Sequence, residues 1–218
     1  MRAVIFASGD LTHADLDRAR LRPDDWLIAA DGGARYCRAI GLTPQTLIGD
    51  FDSLSPSDLD AYRQQGVEVL SHPSRKDETD LELALRLAAA RGAQDVLVLG
   101  ALGHRWDQTL ANLLLPAARG LEALSIRLVD GPQEIVPLRP GQRLEISGRP
   151  GDTVSLIPLA GDAAGVSTEG LEYPLSGDTL PFGSTLGVSN TLVADRAHIS
   201  LGQGWLVCLI FHHSMEPS

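Results

Sequence analysis

Val67-Glu68-Val69-Leu70, Leu81-Glu82-Leu83-Ala84-Leu85-Arg86-Leu87 and Val96-Leu97-Val98-Leu99 follow one another within residues 67–100. The outer two are short apolar runs of strand type. The middle one carries an apolar stripe on Leu81, Leu85 and Leu87, with Thr79 or Asp80 to cap it and Gly92 to end it. Strand, helix, strand over this length predicts a crossover between parallel strands. The same alternation continues on both sides. Apolar runs at 3–7, 26–30 and 46–48 precede the stretch, and one at 126–129 follows it. Helices are predicted over 59–65, behind Ser55-Pro56-Ser57-Asp58, and over 109–119, ended by Gly120. Apolar runs flanked by helices read as strands buried on both faces, hence a doubly wound, Rossmann-like parallel α/β sheet.

After about Gly131 the helical periodicity stops. Short stretches at 142–146, 153–159, 197–201 and 205–210 are separated by Gly, Pro, Asp and Ser. That is the pattern of an all-β sandwich or barrel. The predicted domains are therefore 1–130, α/β, and 131–218, all-β.

Composition narrows the function. The 218 residues carry 28 acidic and 18 basic side chains, a formal net charge of −10. Such a balance argues against a general binder of nucleic acid or anionic membrane, which needs a basic face. A chain this long buries roughly 70% of its unfolded surface without a disulfide framework. Cys37 and Cys208 accordingly read as small buried hydrophobes in a reducing compartment. The first residues reach Asp10 too soon for a signal peptide, and there is no apolar run of about 18 residues, so the expected location is the cytoplasm.

The chemistry-bearing clusters all fall just past predicted strands. They are Asp31-Gly32-Gly33, Gly49-Asp50-Phe51-Asp52-Ser53, Lys76-Asp77-Glu78-Thr79-Asp80 and Gly100-Ala101-Leu102-Gly103-His104-Arg105-Trp106-Asp107, with Ser8-Gly9-Asp10 a weaker fifth. In an open parallel sheet the carboxyl ends of the strands face one crevice, so these residues are predicted to converge there. Two carboxylates about 4 Å apart repel by roughly 4 kcal/mol at an effective dielectric near 20. Several such pairs at Asp31, Asp50, Asp52, Asp80 and Asp107 need a counter-charge. Lys76 is the one lysine of this half and the arginines are scattered, so a divalent cation is the simpler expectation. All-oxygen ligands suit Mg²⁺, which is commonly shared with a phosphate-bearing substrate. Gly32, Gly33, Gly100 and Gly103 would let backbone approach phosphate, and Arg105 would grip it by two nitrogens. No Walker loop or dinucleotide fingerprint is present. His104 is a candidate phosphate contact. His13, His72, His198, His212 and His213 read as surface residues, and Trp26 and Trp205 as core. Ser53 and Thr79 either bind metal or phosphate or cap helices.

In these four clusters, and in Gly170-Leu171-Glu172-Tyr173-Pro174-Leu175 and Gly187-Val188-Ser189-Asn190, the sequence resembles the thiamine pyrophosphokinase family over nearly its whole length. The resemblance implies an N-terminal α/β domain, a C-terminal β-sandwich and a homodimer whose site joins one subunit's first domain to the other's second. It implies transfer of the pyrophosphoryl group of ATP to the hydroxyl of thiamine. By matched position Asp50, Asp52 and Asp80 would hold Mg²⁺ and the phosphates, while Asp31, Thr79 and Asp107 would line the site. Tyr173 would stack on thiamine, and Ser189 and Asn190 would face the substrate. Asp107 is the candidate proton acceptor or substrate anchor. His104 stands where the family often has glycine, and Gln108 where it often has histidine. The rivals are a pyrophosphokinase acting on a pterin alcohol, an Asp-dependent phosphohydrolase built on Asp50, and a non-enzymatic thiamine- or nucleotide-binding protein. Hydrolases of that kind usually carry their Asp-x-Asp after the first strand, whereas here it follows the third.

Overall fold

The apolar runs of the first half become parallel strands. The computed structural model describes residues 1–9, 12–103 and 105–215, and the division into two compact units falls between Asp130 and Gly131. Asp10 and His104 lie outside the described residues. Among the described residues, the first unit holds β1 (Arg2–Phe6), β2 (Trp26–Ala30), β3 (Thr46–Gly49), β4 (Glu68–Ser71), β5 (Asp95–Leu99) and β6 (Ser125–Asp130). The strand order is β6-β5-β1-β2-β3-β4, and every pair is parallel. The helices are α1 (Ala14–Ala19), α2 (Gly33–Ala39), α3 (Pro56–Gln64), α4 (Asp80–Ala90) and α5 (Trp106–Leu114).

The chain steps from β1 outward to β4, and α4 then carries it back to β5 beside β1. The strand order thus reverses between β1 and β5, where a doubly wound sheet opens its ligand crevice. Side chains from both faces of the inner strands are buried, as Ala3, Val4, Ile5 and Phe6 of β1 show. The helix starts follow local chemistry. Ser55 and Asp58 form a capping box around Pro56, and the Thr79 hydroxyl accepts the Glu82 N–H at 3.2 Å.

Two expectations about helices need correction. The helix predicted over 109–119 begins at Trp106 and stops at Leu114. Pro116 lacks an N–H and its ring would strike the carbonyl four residues back, so the chain tightens into a 3₁₀ turn over Leu115–Ala117. The helix α1 was not signalled. It is six residues long, and its His13 start offers no side-chain cap. It is held instead by tertiary contact, in which the Tyr36 hydroxyl of α2 donates to the buried Asp17.

The second unit contains β7 (Gln133–Leu138), β8 (Arg143–Ser147), β9 (Thr153–Pro158), β10 (Ala163–Glu169), β11 (Ser176–Leu180), β12 (Asn190–Thr191), β13 (Arg196–Ser200) and β14 (Leu206–Phe211). Antiparallel pairing runs β12-β9-β14-β7 in one layer and β11-β10-β13-β8 in the other. Val154, Leu156, Cys208 and Ile210 from the first layer meet Ile146, Val166, Leu180 and Ile199 from the second in one core. This is a β-sandwich.

Three further expectations change. His212 is buried, with Nδ1 2.9 Å from Asp152 Oδ2 and Nε2 3.5 Å from Glu134 Oε1. It is an internal ion-pair partner, and nothing in residue spacing signalled that. Trp26 and Trp205 are only half-buried. Each lies under a guanidinium, Arg91 at 5.2 Å and Arg139 at 5.4 Å from the ring centres, so a cation covers part of each indole that the core does not. Cys37 and Cys208 are free and buried as expected, and burial pushes the Cys37 thiol up to about 12. Among the described residues no helix is long and apolar enough to cross a membrane.

Candidate active site

The loops after β1, β3, β4 and β5 converge on one cavity of about 730 Å³ in the first unit. Asp50, Lys76, Thr79, Asp80, Arg105 and Asp107 line it, with Gly100 and Gly103 of the β5 loop. Residues separated by up to about a hundred positions thus meet at the carboxyl edge of the sheet, as the strand pattern required.

Backbone strain aims the carboxylates. Asp31 and Phe51 are non-glycine residues in the left-handed region, with φ of 42° and 59°. Such a backbone costs about 1–2 kcal/mol per residue and persists only where the surroundings impose it. Phe51 is 5% exposed and anchored in the core, which turns its neighbours Asp50 and Asp52 outward together. Each of Asp31, Asp50 and Asp52 offers an oxygen within 4.8 Å of the others. Gly49 lets this happen. Its φ is 150°, and a Cβ built there would lie 3.1 Å from Asp31 Cβ and 3.2 Å from Asp80 Oδ1.

Local bonds tune the group. The Ser53 hydroxyl donates to Asp31 Oδ1 at 3.2 Å, and the Asp52 N–H to Asp50 Oδ1 at 3.2 Å. Burial pushes the Asp31 carboxyl above its ordinary range against the Gly32 N–H and Ser53 bonds, and the charges of Asp80 and Asp52 push the same way. Lys76 Nζ sits 2.8 Å from Asp80 Oδ1 and 3.8 Å from Asp50 Oδ2. Burial pulls the Lys76 ammonium down, but the bond to Asp80 and the charges of Asp80, Asp50 and Asp31 outweigh it and hold the group above its ordinary value.

The tight carboxylate group overlaps the expected metal set without coinciding with it. Asp50 and Asp52 stand together as expected. Their third companion in the tight group is Asp31, while Asp80 is held by Lys76. Lys76 is the residue that sequence reasoning weighed as a counter-charge and set aside. The available signal was its being the one lysine of the chain. The group still suits a hard cation: its donors are all carboxylate oxygens. Asp80 Oδ1 is buried and accepts no well-aligned hydrogen bond, its close contact being the Lys76 ammonium.

Other candidates take different places. Thr79 caps α4 and lines the cavity. Gly33 serves packing: a Cβ there would lie 1.9 Å from the Phe6 carbonyl oxygen, so α2 can lie against β1 only with glycine. A Cβ on Gly32 would meet Ser8 Oγ at 2.9 Å. Neither glycine lines the cavity. Arg105 does use two nitrogens, at 3.1 and 2.5 Å, but on the carboxylate of Asp107. That bond, aided by the Gln108 N–H, holds the Asp107 carboxyl below its ordinary range.

Comparison with known proteins bears on this arrangement. A family profile described as "Thiamin pyrophosphokinase, catalytic domain" matches residues 19–122, and one described as "Thiamin pyrophosphokinase, vitamin B1 binding domain" matches residues 137–206. The chain belongs to the thiamin pyrophosphokinase family. It is 29% identical over 182 residues to the thiamine pyrophosphokinase of Bacillus subtilis, covering 84% of this chain and 85% of that one. The crystal structure of thiamine pyrophosphokinase from Bacillus subtilis superposes with a TM-score of 0.85 at 26% identity, over 97% of this chain and 99% of that one. The thiamin pyrophosphokinase structure from Geobacillus thermodenitrificans gives 0.84 at 26%, over 98% and 99%. As a member of this family the chain is an enzyme.

The family's second-domain motif is also organised. The Tyr173 side chain is exposed, at 66%. Its backbone is clamped by Asn190, whose Oδ1 accepts the Tyr173 N–H at 3.1 Å and whose Nδ2 donates to the Tyr173 carbonyl at 2.7 Å. Asn190 Oδ1 also accepts the Thr191 N–H at 2.8 Å. Ser189 adopts a left-handed φ of 62°, and its N–H donates to Ser155 Oγ at 3.0 Å. The amide of Asn190, expected to face substrate, thus bonds to the backbone of Tyr173 and Thr191.

Proposed function

We propose that this protein transfers the pyrophosphoryl group of ATP to the hydroxyl of thiamine, with Mg²⁺ in the carboxylate group. The observation that carries the reading is the gathering of Asp31, Asp50, Asp52 and Asp80 past the carboxyl ends of β2, β3 and β4, in a chain of the thiamin pyrophosphokinase family. In the reaction the hydroxyl oxygen of thiamine bonds to the β-phosphorus of ATP. The bond from that phosphorus to the α–β bridging oxygen breaks, AMP leaves with that oxygen, and the hydroxyl proton passes to a base. Asp31, Asp50 and Asp52 would hold the cation, with Asp80 beside them. Bound Mg²⁺ would neutralise phosphate charge and orient the chain. Asp107, kept ionised by Arg105, is a weak proton acceptor, and we assign it to anchoring substrate. Gly100 and Gly103 line the place where phosphate would pass.

Thiamine is a cation, and the exposed Tyr173 ring offers it a π-face. Tyr173→Ala is expected to raise the KM for thiamine about tenfold or more, as loss of a desolvated cation–π contact of about 2 kcal/mol implies. The KM for ATP should change less than twofold. Equal changes in both would remove Tyr173 from the thiamine site. The active form is proposed to be a homodimer in the cytoplasm. Trp106, Leu110 and Leu114 form an exposed apolar row along α5, which a second copy would cover. Light scattering that gives a monomer mass at assay concentration removes the dimer.

The deciding experiment measures AMP release from ATP, Mg²⁺ and thiamine, with a pterin alcohol as competing acceptor. Thiamine-dependent AMP and thiamine diphosphate are the expected products. Release of inorganic phosphate instead, or preference for the pterin alcohol, overturns the reading.

A further inference from the structure

The thiamin pyrophosphokinase reading assigns no part to Lys76, yet this residue stands at the centre of the charged group. Every other one of the 18 Lys and Arg residues in the chain is arginine. Lys76 lies on the loop between β4 and α4, and its side chain is 12% exposed. Its ammonium bridges Asp50 and Asp80 at 3.8 and 2.8 Å, and the charge of Asp31 also acts on it.

We propose that Lys76 is the resident counter-ion of the carboxylate site: it holds Asp50 and Asp80 until a divalent cation enters, then yields them and turns its ammonium onto the phosphate chain that arrives with the metal. Three observations converge on this. The ammonium sits on one of the carboxylates that would hold the cation, Asp50, and on Asp80 beside them, whose buried Oδ1 has that ammonium as its close contact. Ammonium and metal therefore compete for one position. The loop carrying Lys76 also supplies Ser74 and Glu78 to the wall of the cavity, so the freed side chain stays inside it. Finally, residue type matters. An ammonium is a compact charge with rotatable donors, whereas a guanidinium locks onto a carboxylate with two parallel bonds. The chain uses that lock at Glu68–Arg91 and Asp107–Arg105, and keeps lysine where the pair must open.

Yielding to metal concerns the carboxylates alone, whereas movement onto phosphate rests on the pyrophosphokinase reading, and the test separates the two. Binding of Mn²⁺ alone to the whole protein is measured by electron paramagnetic resonance. Lys76→Met should bind Mn²⁺ about tenfold more tightly than wild type, a difference of about 1.4 kcal/mol, and Lys76→Arg several-fold more weakly. Unchanged or weaker binding by Lys76→Met overturns the proposal. Loss of Mn²⁺ binding in Asp52→Asn is expected as a control, and full binding there places the metal elsewhere and overturns it too.

A second measurement uses the unaltered protein. With ¹³C-lysine incorporated, Lys76 gives the single lysine side-chain resonance. That resonance should move on adding Mg²⁺ and again on adding α,β-methylene-ATP. If the analogue binds by calorimetry and the resonance stays still, the phosphate role of Lys76 falls while the pyrophosphokinase reading stands. If the analogue does not bind at all, that reading falls with it.

Discussion

Asp52→Asn is expected to lower AMP release about a thousandfold, because a metal ligand set that loses a charge forfeits several kcal/mol of transition-state stabilisation. The three-carboxylate group of Asp31, Asp50 and Asp52 becomes a pair, and an amide oxygen cannot replace the lost charge. The fold should survive. Asp52 is exposed, and the bond it makes to Asp50 comes from its backbone N–H, which asparagine retains. Repulsion within the group falls, so the melting temperature should stay level or rise slightly. Asp80→Asn should be equally inactive, and it also releases the Lys76 ion pair at 2.8 Å. Turnover within tenfold of wild type in either variant would contradict the carboxylate assignment. A large fall in melting temperature would show that the variant tests folding instead.

The second large effect lies in the β-sandwich. Asp152 is 2% exposed and accepts from the Arg149 N–H at 3.0 Å, from His212 Nδ1 at 2.9 Å and from the His213 N–H at 3.1 Å. Asp152→Ala removes the acceptor of all three donors at once and leaves the imidazolium facing Glu134 alone. Breaking a buried pair by removing one partner costs about 3–5 kcal/mol, which for a chain of this size is a fall on the order of 10 °C in melting temperature. The pH dependence has a definite sign. Glu134 raises the His212 imidazole above its ordinary 6.5 against burial, and Asp152 adds to the rise. The His212 contribution is therefore complete below pH about 6.5 and disappears as pH climbs through the raised native value. Burial works against the Asp152 carboxylate, but the Arg149 N–H, His212 and the His213 N–H outweigh it and hold the group below its ordinary 3.8. Its contribution is present above that value and is lost as pH falls through the lower native one. Wild type should thus lose stability on moving from pH 6 to alkaline pH, and Asp152→Ala should show a flatter profile there. Parallel melting curves for the two proteins across that range would remove the ion pair from the stability of the sandwich.

What the sequence revealed, and what it hid, follows from the range of the forces involved. Strands β1, β2, β3 and β5 are legible because their burial on both faces demands apolar runs, while the outer strands β4 and β6 keep only a short apolar core within polar ends. The carboxylate loops are legible because Asp31 and Asp50 directly follow such runs and Asp80 opens the helix after β4, so topology brings all three to one edge. The sandwich is legible in outline from β8, β9, β13 and β14. Its β10 and β11 are rich in Ala, Gly, Ser and Thr, and they carry little apolar alternation. Long-range polar partners left no trace. His212 is 60 residues from Asp152, and Asp17 is 19 from Tyr36. No spacing rule connects such pairs, so a buried ion pair reads as a surface histidine. Lys76 was misjudged for a related reason: counting scattered cations treats position as random, whereas the fold puts the single ammonium among the carboxylates.

The guanidinium-capped indoles have a use of their own. Trp26 sits in β2 of the first unit and Trp205 precedes β14 in the second, each half-shielded from water. Trp106 is 75% exposed on the single chain and reports the proposed dimer contact along α5 instead. Each unit therefore carries one fluorophore whose colour must shift when its own layer opens. The chain comes with a built-in optical readout of whether its two halves melt together or in turn.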